Sequence, residues 1–67
     1  MTGMKARKTN RGDTIVVYWA SSEWRWRRLA PNGRIVGASS EGYRSSARCR
    51  ANAERCCTQP AHWEERR

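Results

Sequence analysis

Residues 23–30, EWRWRRLA, alternate tryptophan with arginine at every second position. Successive side chains of a β-strand point to opposite faces, so this alternation is typical of a strand with one buried face and one polar face. One face would carry Trp24, Trp26 and Arg28, and the other Arg25, Arg27 and Leu29. We therefore predict that the two tryptophans belong to a core and that Arg25 and Arg27 point away from it.

Two further strands are predicted on either side of this segment. Residues 14–20, TIVVYWA, are rich in β-branched and aromatic side chains, and the run is too short for a helix of its own. Asn32-Gly33 is typical of a type I′ hairpin turn, in which both central residues take positive φ. Residues 34–39, RIVGAS, then return as a third strand. The three segments predict an antiparallel meander.

A helix is predicted after the strands. Ser45 or Ser46 can cap it by accepting a hydrogen bond from a backbone amide that has no partner within the helix. Positions i, i+4, i+7 and i+8 then form one stripe of an amphipathic helix, which we expect to cover one face of the sheet. These positions hold Cys49, Ala53, Cys56 and Cys57, whereas Arg48, Asn52 and Arg55 lie on another side. Pro60 lacks a backbone donor and is expected to prevent any continuation of the helix.

The chain is predicted to form one folded unit, because 67 residues are close to the smallest size that a single apolar core can stabilise. We place an α+β domain at residues 14–58, a basic arm that we expect to be disordered at residues 1–13, and a charged tail at residues 59–67. A core of this size makes self-association an open possibility.

The net charge of +8 is spread along the sequence. Such a charge attracts polyanions and acidic proteins alike. No apolar run approaches the roughly 20 residues of a membrane span, and the N-terminal residues lack the apolar stretch of a signal peptide. We therefore expect a cytoplasmic protein with no membrane partner. The excess of arginine over lysine suits a GC-rich genome, which suggests a bacterial or bacteriophage source.

The chain offers few residues for catalysis or metal binding. Cys49, Cys56, Cys57 and His62 are the candidates for a zinc site or for a thiol nucleophile with its base. They lack the paired Cys-x-x-Cys or His-x-x-His spacings of zinc sites, and cysteines at core positions of a helix serve as small apolar residues. The only histidine lies in the tail, where nothing indicates the rigidity that a catalytic base needs. We expect no enzyme activity, no metal, no cofactor and no small-molecule substrate.

The segment WRWRRLAPNGRIVGASSEGYRSSARC resembles the YegP-like domains of unknown function. The pattern of that family is a Trp-Arg pair, an Asn-Gly turn, a Ser-Glu-Gly-Tyr loop and a helix that begins Ser-x-Ala. The matching positions are Trp26, Arg27, Asn32, Gly33, Ser40, Glu41, Gly42, Tyr43, Ser45 and Ala47. The chain departs from the family at Arg28 and Leu29, where the family usually has Leu and then Lys. This departure turns an arginine toward the tryptophan face.

The resemblance implies a β-β-β-α unit with one helix packed on one sheet face. It also implies a homodimer with a shared antiparallel sheet, because family members carry either two tandem copies or one copy that pairs with itself. The residues themselves support pairing, since the apolar run at residues 15–19 has two faces and one helix covers only one of them.

We therefore expect a non-catalytic homodimeric module, from a bacterium or a phage, that binds a host or cellular macromolecule. The predicted partner-binding residues are Arg25, Arg27, Arg34, Arg48 and Arg55. The alternative is a sequence-tolerant nucleic-acid-binding protein that uses the arm and the arginine-bearing strand. Its contacts would be Lys5, Arg7, Lys8, Arg11, Arg25 and Arg27. The same charges could equally form a solvated basic surface.

Overall fold

The computed structural model describes residues 12–67 and has an α+β fold. Within these residues, four strands and one helix follow one another in the order β1 (Asp13–Ala20), β2 (Glu23–Leu29), β3 (Ile35–Ala38), α1 (Ser46–Cys56) and β4 (Ala61–Arg66). The arm predicted at residues 1–13 lies outside the described residues up to position 11, and its disorder stays a prediction. Asp13 does not belong to an arm, because it is the first residue of β1.

The strands form one sheet in the order β3-β2-β1-β4. The β1-β2 and β2-β3 pairs are antiparallel, as the meander predicts. β4 pairs with β1 in parallel, with Asp13 opposite Ala61 and Tyr18 opposite Arg66. The prediction of three strands was therefore wrong, and residues 59–67 are more than a charged tail. These residues form a strand because Ala61 and Trp63, two positions apart, lie on the same face of β4 and pack against the core.

The two hairpin turns have different geometries, and the sequence predicted a turn type only for the second. Ser21 and Ser22, between β1 and β2, have φ angles of 53° and 65°, and two successive positive φ values define a type I′ turn. At the second turn only Gly33 has a positive φ, of 91°, and its N–H donates to the Ala30 carbonyl at 2.8 Å. The type I′ prediction at Asn32-Gly33 was wrong. Pro31 fixes φ near −65° at the first turn position, which favours a type I turn completed by a left-handed glycine.

α1 covers one face of the sheet. Ser45 caps it by accepting a hydrogen bond from the Arg48 backbone N–H at 3.1 Å, so the first of the two predicted caps is the correct one. Cys49 and Ala53 are fully buried, whereas Cys56 is exposed. The predicted core stripe is thus correct at its first two positions and wrong at Cys56. Among residues 12–67, no helix is both long and apolar enough to cross a membrane.

The core lies between α1 and the sheet. Its buried members are Ile15, Val17, Trp24, Trp26, Cys49 and Ala53. The indole Nε1 of Trp26 donates to the side-chain oxygen of Asn52 at 2.9 Å, which joins the centre of the sheet to the helix. The prediction that both tryptophans are core residues is confirmed.

Candidate interaction surfaces

β3 forms the open edge of the sheet. The Ser39 N–H, just after this strand, donates to the Trp26 carbonyl at 2.9 Å. Hydrogen-bonding directions alternate along an antiparallel strand, so the N–H and C=O of Ala38 point away from β2. No strand among residues 12–67 pairs with this outer side. Ile35 and Val36 are 58% and 55% exposed, which leaves two large apolar side chains beside unpaired backbone.

β4 forms the other edge of the sheet and pairs with β1, so that β1 is not an edge strand. It has six residues, four of them exposed. The guanidinium of Arg66 binds the carboxylate of Glu64 at 2.6 Å, and Glu65 adds a further charge to the same strand. Charged side chains on an edge strand oppose the addition of another strand. This edge is therefore protected, in contrast to β3.

Arg28 fastens the segment before β4 to the sheet. Its Nε donates to Asp13 Oδ2 at 2.6 Å, and its two terminal nitrogens donate to the carbonyls of Gln59 and Pro60 at 3.3 and 3.1 Å. The hydrogen bond to Asp13 raises the pKa of Arg28 above its ordinary value despite the opposing effect of burial. The prediction that Arg28 points toward the tryptophan face is confirmed. Its partner was missed because Asp13 was assigned to the arm.

Arg25 and Arg27 project from the helix-free face of the sheet, as their alternation predicts. Neither guanidinium is free. Arg25 binds the carboxylate of Glu23 at 2.6 Å, and Arg27 stacks 4.6 Å above the ring centre of Tyr18. Val16 lies opposite Arg27 on this same face and is only 2% exposed. The long arginine side chains thus serve in part to cover apolar atoms that no helix covers.

Arg48 and Arg55 lie on the outer side of α1 and are exposed. Neither side chain forms an ion pair with any of residues 12–67. Arg50 on the same helix differs, because it binds Glu54 at 3.6 Å and stacks 4.5 Å from the ring centre of Trp63. Arg48 and Arg55 are therefore available to a partner, and Arg50 is not.

The five predicted partner-binding arginines do not form one surface. Arg25 and Arg27 lie on the helix-free sheet face, Arg48 and Arg55 on α1, and Arg34 in the exposed loop between β2 and β3. The remaining candidates of the nucleic-acid alternative, Lys5, Arg7, Lys8 and Arg11, lie outside the described residues. Alternation along β2 could identify the face of Arg25 and Arg27, but not the partners that engage them.

The cysteines and the histidine do not assemble into a site. Cys49 is fully buried, and this burial raises the pKa of its thiol. Cys57 packs against the core, whereas His62 lies opposite Thr14 on the helix-free side of the sheet. In the part of the chain that the structure describes, no three His, Cys, Asp or Glu side chains converge on a possible metal position.

A groove that sequence reasoning missed runs between β3 and the C-terminal end of α1. Trp26 and Arg28 line it from β2, Val36 and Gly37 from β3, and Cys57 from the end of the helix. Gly37 contributes no side chain above Trp26, and a Cβ placed there would stand 3.8 Å from the indole. The groove lies next to the open edge, so a strand added to β3 would have one face toward it.

A four-stranded sheet with one helix packed on one face and one open edge defines a small α+β domain in the part of the chain that the structure describes. The chain belongs to the family described as "Domain of unknown function (DUF1508)", whose model matches residues 20–57. This is the YegP-like family that the sequence resembles, and the resemblance is confirmed. The matched region ends before β4 and contains only the last residue of β1. No curated protein and no solved structure matches the chain.

Proposed function

We propose that this protein is a non-catalytic module that forms a homodimer through its β3 edge and, as a dimer, binds another macromolecule. The observation that carries the proposal is the open β3 edge, where Ile35 and Val36 are 58% and 55% exposed. Unpaired backbone at a sheet edge readily accepts another strand. Antiparallel pairing of β3 with β3 of a second copy would join two sheets into one.

The geometry of β3 suits a two-fold contact. In such a contact the same surface on both copies must be complementary to itself. Ile35 lies opposite Leu29 on the helix-free side, and Val36 lines the groove on the helix side. Apolar contacts would therefore flank the new backbone hydrogen bonds on both faces of the joined sheet. Association would also add apolar burial to a domain whose own core is small.

The partner of the dimer is proposed to be an acidic or polyanionic macromolecule, because the chain has a net charge of +8. The excess of arginine over lysine supports a bacterial or phage origin, so the partner would be a host or cellular component. Nucleic acid is a second candidate within this class, favoured by the same charge. The sequence prediction that Arg25 and Arg27 contact the nucleic acid is weakened, because Arg25 binds Glu23 and Arg27 stacks on Tyr18.

Light scattering tests the dimer directly. We expect the wild-type chain to show twice its 7.8 kDa mass at micromolar concentration. Val36→Lys should give a folded monomer, because a lysine on an edge strand opposes strand addition. Glu64→Lys is the matched control, since it places a lysine at an exposed position of the protected β4 edge and should leave the dimer intact. A wild-type monomer, or a Val36→Lys dimer, would contradict the proposal, and circular dichroism confirms that each variant folds.

A further inference from the structure

We infer that the exposed face of α1 binds the phosphates of double-stranded nucleic acid, with Arg48 and Arg55 as its main contacts. This inference names the class of partner that the proposed module binds, and it therefore rests on the proposed function. Its geometry does not depend on the dimer, because one copy of the chain contains the whole helix face.

Half of the net positive charge of the described residues lies on α1. Residues 12–67 contain ten arginines and six acidic residues, a net charge of +4. The 11 residues of α1 contain three of these arginines and one glutamate, a net charge of +2. The other 45 described residues share the remaining +2, so a polyanion approaching the described chain meets its densest positive charge on the helix side.

Arg48 and Arg55 are aligned along the helix. They are seven residues apart, so they project within about 20° of each other, with Cα atoms about 10.5 Å apart along the axis. This spacing is comparable to the ~12 Å width of the major groove of B-DNA, whose two sides carry phosphates of opposite strands. Because neither arginine has an ion-pair partner among residues 12–67, both guanidinium groups can bind phosphate oxygens without breaking an internal contact.

The other exposed residues of α1 favour a duplex over a single strand. Ala47 and Ala51 lie exposed beside the arginines, and their small side chains allow a helix to approach a backbone closely. Single-strand binding relies on exposed aromatic rings on which bases stack. None of the residues 46–56 is aromatic, and the ring of Trp63 is covered by Arg50. The face therefore offers charge and shape without a stacking surface.

Fluorescence anisotropy with a labelled 20-base-pair duplex of mixed sequence, over a range of salt concentrations, tests the inference. The full chain is compared with Arg48→Gln/Arg55→Gln and with the matched control Arg25→Gln/Arg27→Gln, which removes the same charge from the sheet face. Each phosphate contact contributes about 0.9 to the slope of log K against log salt. We expect the helix variant to lose about 2 units of slope per bound copy, with at least a tenfold weaker affinity at physiological salt, and the sheet variant to lose less than half as much.

Three results would overturn the inference: no measurable duplex binding by the wild-type chain at 50 mM salt, equal losses in the two double variants, or tighter binding of a single strand of the same sequence. Failure of the dimer proposal is recognised separately. Val36→Lys retains the α1 face, so it should still bind duplex. Its slope should be about half that of the wild type, plus at most about 0.9 from the added lysine, if the wild type is a dimer, and no smaller than that of the wild type if it is not. Glutamine is a good helix former, so the helix variant should keep both its fold and its oligomeric mass.

Discussion

The two edges of the sheet are built in opposite ways. β3 is four residues long and leaves Ile35 and Val36 exposed beside unpaired backbone. β4 is six residues long, and its ion pair between Glu64 and Arg66 lies on the protected edge. β3 lies within the region that matches the DUF1508 family, and β4 lies beyond it.

This difference is the reason that the proposed dimer contact is placed at β3 and not at β4. Soluble proteins protect edge strands with charge, because an unprotected edge pairs with other chains. The chain applies this protection to β4 and not to β3, although arginine and glutamate are abundant in the sequence. An apolar edge in a chain so rich in charge supports the proposed contact at β3, and the charges of β4 would then keep the same sheet from growing at its other side.

The protected edge depends on the packing of β4 against the rest of the domain. We expect the largest loss of stability from Trp63→Ala. Trp63 packs against the core and under Arg50. Because it is half-buried, we expect a loss of about 2–3 kcal/mol in the free energy of unfolding, somewhat below the usual cost for a fully buried tryptophan. Urea denaturation measures this loss.

Trp19→Ala is the control for this variant, because Trp19 is 39% exposed and contacts the core through the edge of one ring, with its ring centre 5.5 Å from that of Trp24. It should lose clearly less stability than Trp63→Ala. A loss for Trp63→Ala no larger than that of an ordinary surface substitution would mean that β4 contributes little to the core.

Arg28→Met tests the second attachment of β4, and we expect a loss of about 2 kcal/mol. The substitution keeps an apolar stem but leaves Asp13 and the carbonyls of Gln59 and Pro60 without their donor. Hydrogen bonds to charged groups contribute about 1.5–3 kcal/mol, and an unpaired partner adds a desolvation cost. Arg34→Met, in the exposed loop, should change stability by less than about 0.5 kcal/mol. If Arg28→Met leaves the free energy of unfolding unchanged, β4 is held by packing alone.

These attachments also show what the sequence could predict and what it could not. The hairpin strands and the helix follow from local periodicity, and the inward position of Trp24 and Trp26 follows from alternation alone. β4 was missed because its apolar signal is limited to Ala61 and Trp63, and because its partner β1 lies more than forty residues earlier. The engagement of Arg27 by Tyr18 likewise depends on pairing between strands. Charge could be counted from the sequence, but which arginines remain free could not.

Arg50→Gln is expected to lower the free energy of unfolding by a smaller amount, about 0.5–1 kcal/mol, because it removes an exposed cation–π contact with Trp63 of β4. Glu54→Gln separates the two contacts of this arginine, since it removes only the exposed ion pair at 3.6 Å. That pair should contribute less than about 0.5 kcal/mol. If Glu54→Gln costs as much as Arg50→Gln in thermal denaturation, the contact with Trp63 has no measurable role.

The smallest effect on stability and the clearest effect on assembly are expected from Glu64→Val/Arg66→Val. Both residues are exposed, and valine suits a strand, so the free energy of unfolding should change by less than about 0.5 kcal/mol. The variant removes the ion pair of β4, leaves Glu65 as the only acidic or basic side chain on this strand apart from His62, and gives the strand two new apolar side chains. Light scattering should then show masses above that of the wild type, which increase with protein concentration.

Adding Val36→Lys to the same variant would block β3 and leave β4 open. If charge is what separates the two edges, this combined variant should associate through β4 instead of β3. If it remains a monomer, the difference lies in backbone geometry rather than charge: β4 pairs in parallel with β1, and its outer hydrogen-bonding groups would then be poorly placed for a second copy.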